Sequence, residues 1–114
     1  MSPVKNPLKL NGLQLKTLAI LQALAEAGGA AADEASGETV LDHLPHPHGD
    51  HFHIGHHVVA ARDASGLGNR SVWLALERKG LARILAFPRA IALTKTGRDY
   101  DTGLAPAILH GHDH

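Results

Sequence analysis

The sequence predicts a small α+β domain. Its helices are followed by a β-hairpin, and a second, histidine-rich hairpin lies between the first and second helices. Three observations point there. A leucine stripe at helical spacing runs through residues 12–27. A capped segment at 69–79 leads straight into two apolar runs, 81–86 and 90–94, joined by Phe87-Pro88-Arg89. Residues 46–57 read HPHGDHFHIGHH, a turn followed by alternating histidine and apolar residues.

The chain has 114 residues, 44% of them apolar, which fits one domain with a real core. Only Phe52, Phe87, Trp73 and Tyr100 are aromatic, so that core must be mainly Leu, Ile, Val and Ala. The absence of cysteine excludes disulfides and thiolate metal sites. The opening MSPVKNPLKL has no signal-peptide core and no stretch reaches membrane-span length, so a cytoplasmic protein without a membrane partner is expected. Net charge is zero but uneven: residues 1–58 hold three basic and six acidic side chains (−3), and residues 59–105 hold eight basic and four acidic (+4). An anionic partner would therefore favour the second half. The ten histidines make the charge sensitive to mild acid.

Residues 1–10 form an arm in which Pro3 and Pro7 oppose helix, while Val4, Leu8 and Leu10 can pack on a neighbour. Asn11 and Gln14 make a capping box for the first helix. Leu18, Leu21, Leu24 and Ala25 line its apolar face, widened by Leu15 and Ile20, and Gly28-Gly29 stops it. The small and polar run from Ala30 to Glu38 reads as a loop. Residues 39–44 then suggest a strand that pairs with 51–55 across a turn at Gly49-Asp50. A short helix is expected from Val58 to Ala64, ending at Gly66. In the next helix, capped by Asn69 or Ser71, Val72, Trp73 and Leu76 form the inward face, and Gly80 ends it after Arg78-Lys79. One last helical turn is expected within 95–103, before a histidine-containing tail at 105–114.

Leu76, Glu77, Lys79, Gly80 and Leu81, followed by Leu93, Thr94 and Gly97, match Leu-Glu-x-x-Gly-Leu and Leu-Thr-x-x-Gly. With the order helix, turn, helix, hairpin over residues 58–100, this resembles the winged helix-turn-helix domain of the MarR-like regulators. The resemblance implies a DNA-binding or regulatory module, with helix 69–79 as recognition element and 82–93 as wing. Arg70, Ser71, Leu74 and Arg78 fall on the outward face of that helix. Arg70 suits a phosphate or guanine edge, and Arg83 and Arg89 on the wing suit phosphate or minor-groove contacts. Double-stranded DNA and a second copy of the chain are the implied partners.

His46-Pro47-His48-Gly49-Asp50-His51 spells HxHxDH, which resembles the metal-binding motif of the metallo-β-lactamase superfamily. That fold needs an αββα sandwich and further downstream ligands that 114 residues cannot supply, so the match is coincidental. A local site remains open. Imidazole suits Zn²⁺ or Ni²⁺, and His51 and His53 fall on one side of the expected strand, about 7 Å apart at Cα. His46 or His48 and the oxygen donor Asp50 could complete a set, with Asp42 as outer partner. His110, His112 and His114 could add to it. These residues define an alternative metal-binding or metal-sensing function, and exposed Leu74 with the wing face defines a third, protein interaction without nucleic acid. No catalysis is expected. Ser65 and Ser71 belong to no nucleophile motif, no phosphate loop is present, and Asp63 reads as a local partner of Arg62 or Ser65.

Overall fold

Two polar side chains start the first helix as expected. The computed structural model describes residues 6–28, 35–42, 44–45, 49–55 and 57–111. Helix α1 spans Gly12–Gly28. The Asn11 N–H donates to Gln14 Oε1 (3.0 Å) and the Gln14 N–H to Asn11 Oδ1 (2.8 Å). Each satisfies a backbone donor that the helix itself cannot. Leu18, Ile20 and Leu21 are buried, and Leu15, Leu24 and Ala25 pack at the margin of the core.

The arm before α1 is pinned by polar groups. Asn6 brackets Leu10, accepting from its N–H at 3.0 Å and donating to its carbonyl at 2.8 Å. The Tyr100 hydroxyl donates to Asn6 Oδ1 and accepts from the Leu8 N–H, and Lys79 donates to the Leu8 carbonyl. Leu10 is buried in the core as expected. Val4, Gly29, most of the 30–38 loop, His46, His48, His112 and His114 lie outside the described residues.

After α1 come β1 (Thr39–Leu41), β2 (His51–Ile54), β3 (His57–Ala60), a 3₁₀ helix (Ala61–Gly68), α2 (Arg70–Arg78), β4 (Ala82–Ala86), β5 (Ala90–Leu93), α3 (Lys95–Asp99), α4 (Ala105–Ile108) and β6 (His110–Gly111). The strands form antiparallel sheets ordered β1-β5-β4 and β2-β3-β6. The result is a small α+β fold. Among the described residues no helix is long and apolar enough to cross a membrane.

Two expectations are corrected. The strand at 39–41 does not pair with 51–55. It pairs with β5, Val40 facing Ala92, while β2 pairs with β3, Phe52 facing Val59. The histidine hairpin is therefore 51–60. Its turn contains Gly55 at φ 57°, a conformation glycine adopts without the penalty of a Cβ. The expected helix from Val58 is absent for the same reason. β-branched Val58 and Val59 fit the ladder, and the chain turns helical only at Ala61, as a 3₁₀ segment. The tail also acquires order: Gly111 and His110 pair with His57 and Val58.

Helix α2 ends in a Schellman arrangement. The Gly80 N–H donates to the Glu77 carbonyl and the Leu81 N–H to the Leu76 carbonyl, with Gly80 at φ 76°. Leu81 then drops into the core, fully buried. Thr94 locks this corner to the end of β5. Its N–H donates to the Leu81 carbonyl (3.1 Å) and its hydroxyl to the Gly80 carbonyl (2.8 Å). The same hydroxyl accepts from the Gly97 N–H and so caps α3. In α3, Lys95 bonds Asp99 at 2.8 Å and holds its carboxyl below the usual range.

Gly66 marks a close approach of the 3₁₀ helix to α1: a Cβ there would lie 1.8 Å from Thr17 Oγ1. Gly66→Ala is expected to destabilise by about 1–3 kcal/mol. Thr17→Ala removes the obstructing atom, so the double variant should recover about 1 kcal/mol relative to the sum of the singles in urea unfolding. Simple additivity would contradict this packing.

Candidate nucleic-acid interface and histidine face

The inward face of α2 is buried: Val72, Trp73, Ala75 and Leu76 contact the core. Its opposite face is open, and the expected residues lie on it. Arg70, Ser71, Leu74 and Arg78 are all exposed, spaced along one side of the helix. Asn69 caps the start, its Oδ1 accepting from the Ser71 N–H (3.0 Å) and hydroxyl (2.7 Å). Ser71 is thus engaged locally at the helix entry. Leu74, 39% exposed, sits between the two arginines.

The β4–β5 hairpin lies beside this helix because aromatic packing holds its turn there. Phe87 meets the Trp73 ring edge to face, centroids 4.8 Å apart. The neighbouring Arg89 is exposed. Pro88 and Arg89 share a cleft of about 770 Å³ with Leu67 and Gly68, next to the start of α2. Arg70 and Arg89 thereby flank one end of the helix, with Arg78 at the other.

Arg83 lies exposed on β4, the first strand of the expected wing, and has an acidic partner. Its guanidinium grips Glu38, Nη2 to Oε1 at 2.7 Å and Nε to Oε2 at 3.0 Å. That hydrogen bond and charge raise the Arg83 pKa further. It is therefore a paired cation at the outer edge of the sheet. The partner lies 45 residues away, so local pattern carried no signal of it. Asp63 pairs with Lys16 at 2.9 Å rather than with Arg62 or Ser65, tying the 3₁₀ helix to α1. Glu77, on the α2 surface, accepts from the Ile84 N–H at 2.8 Å and so blocks part of the β4 edge.

The histidines of β2 obey the strand alternation. Phe52 and Ile54 are buried, while His51 and His53 stand on the opposite, outer side. Their Nε2 atoms lie 3.1 Å apart. Asp50 Oδ1 is 3.4 Å from His51 Nδ1. Asp42 lines a cleft with His53. His57 faces Ile54 across the ladder and so belongs to the other side of the sheet. Its Nδ1 is buried and has no hydrogen-bond partner among the described residues. Among the described residues no group of three or more histidines and carboxylates gathers as a ligand set. Of the expected five, the structure brings the ring nitrogens of His51 and His53 together, with Asp50 beside the far nitrogen of His51 and not beside the converging pair. His46 and His48 lie outside the described residues.

Comparison with family models, with curated proteins and with solved structures finds no match to this chain.

Proposed function

We propose that this chain is a winged-helix module that binds duplex DNA, with α2 as the element entering the major groove and the β4–β5 hairpin as the wing. One observation carries the reading. After α1, β1 and the β2–β3 hairpin, the 3₁₀ helix and α2 follow each other through the single residue Asn69, and β4 and β5 then return so that β5 lies between β1 and β4. That order leaves the Arg70, Ser71, Leu74 and Arg78 face of α2 uncovered beside the Arg89 turn. Phosphate contacts from Arg70, Arg78 and Arg89 would position the helix, and Arg70 and Ser71 at its entry would be the side chains to reach a base edge. A homodimer on two half-sites and a cytoplasmic location go with this reading.

Fluorescence anisotropy on duplex DNA at low salt tests it. Removing one arginine that neutralises a phosphate should flatten the dependence of log affinity on log salt by about 0.9. Arg70→Ala and Arg89→Ala should each do so. Arg83→Ala should leave the slope unchanged, because Glu38 already holds that guanidinium. Absence of binding at low salt, or slopes that ignore both arginines, would remove the DNA reading.

A further inference from the structure

We propose that His51 and His53 form a binding site for a late first-row divalent cation, Zn²⁺ being the probe of choice, on the outer face of the β2–β3 hairpin. This inference is independent of the DNA reading. The two rings belong to adjacent outward positions of one strand whose inward positions, Phe52 and Ile54, are anchored in the core. β2 is further fixed by its full ladder with β3, His51 opposite Ala60 and His53 opposite Val58. The strand rise alone would leave the side chains about 7 Å apart. Their rings instead converge, edge to face with centroids at 4.8 Å, to bring the two Nε2 atoms to 3.1 Å.

That separation also suits a shared metal ion. Two nitrogens each about 2.05 Å from a cation are about 2.9 Å apart at a right angle and about 3.3 Å apart at the tetrahedral angle. The observed 3.1 Å falls between them. Both ligands are the same atom type, and neutral imidazole Nε2 is a preferred donor to Zn²⁺, Ni²⁺ and Cu²⁺. In the metal-free state a 3.1 Å contact between two ring nitrogens holds one proton, so one ring donates to the other. On binding, that proton moves to the Nδ1 of its own ring and both Nε2 lone pairs face the cation, with no change in total protonation. Asp50 suits this outcome: its Oδ1, 3.4 Å from His51 Nδ1, is placed to accept from that nitrogen when it carries the proton. Its role is thus to orient His51 rather than to supply an oxygen ligand.

Titration calorimetry of the full chain with Zn²⁺ alone tests the proposal. His51→Ala/His53→Ala should weaken the tightest binding event by about tenfold or more. A His110→Ala/His112→Ala/His114→Ala variant should bind as the parent does, which separates the strand pair from the tail. Both β2 side chains point outward, so the variants should fold, and their melting curves verify it. His53→Gln supplies a second, more conservative variant with the same expected loss. Ring ¹⁵N shifts give an independent readout: Zn²⁺ should shift Nε2 of His51 and His53 first. Unchanged affinity in the strand variants, or first shifts confined to other histidines, would overturn the site.

Discussion

Replacing Trp73 by alanine is expected to destabilise the domain by about 3–5 kcal/mol, the range for deleting a buried aromatic side chain. Trp73 is 1% exposed and is the largest fully buried side chain. It joins three parts of the fold. Its Nε1–H donates to the Leu67 carbonyl at 3.1 Å, tying α2 to the end of the 3₁₀ helix. Its ring receives Phe87 from the hairpin turn. Its helix packs on α1. The loss is a large share of the about 5–15 kcal/mol available to a typical domain, so the melting midpoint should fall by about 10 °C or more. Trp73→Phe keeps an aromatic body but not the hydrogen bond, and should cost less, about 1–3 kcal/mol through the orphaned Leu67 carbonyl and the smaller ring. Leu74→Ala, one position along and exposed, should leave the midpoint nearly unchanged. Equal melting of the Trp73→Ala and Leu74→Ala variants would contradict the orientation of α2.

Gly97→Ala is the second large effect, expected at about 3 kcal/mol, the upper end of overpacking costs. A Cβ at this position would stand 2.0 Å from the Leu81 carbonyl oxygen and 2.9 Å from Leu93 Cδ1. The obstructing atom is backbone, and it already accepts from the Thr94 N–H. Relief therefore requires the corner after α2 to separate from α3. That breaks the bonds by which Thr94 holds Gly80, Leu81 and Gly97 together. Gly12→Ala is the control. Nothing lies within 4 Å of its would-be Cβ at the exposed start of α1. It should be neutral or stabilising by up to about 1 kcal/mol. Urea unfolding of the two variants separates these cases.

These corners also explain what is legible in the sequence. The capping box of Asn11 and Gln14, the cap at Asn69 and the stop at Gly80 act within a few residues, so α1 and α2 can be read locally. The alternation of His51, Phe52, His53 and Ile54 places the right side chains inward whatever the partner strand. Partner choice is less accessible. Val40 meets Ala92 across half the chain, and a pairing that distant leaves no local mark. Gly55 does carry a signal, a glycine between two β-branched or aromatic runs, but the turn at Gly49-Asp50 upstream competes with it. For the candidate surface, helical spacing suffices to assemble Arg70, Ser71, Leu74 and Arg78. It cannot reveal that Glu38 occupies Arg83 or that Lys16 occupies Asp63. Nor can it anticipate the convergence of the His51 and His53 rings, which is a matter of side-chain rotation.

Chemical-shift mapping by ¹H–¹⁵N spectroscopy during titration with a duplex at low salt tests the central proposal most directly. Amide shifts should concentrate in residues 69–79 and 86–90, with Arg70 and Arg89 among the largest, and fade as salt is raised. Shifts that instead gather on the β2–β3 hairpin, or a spectrum the duplex does not alter, would contradict α2 as a nucleic-acid reader.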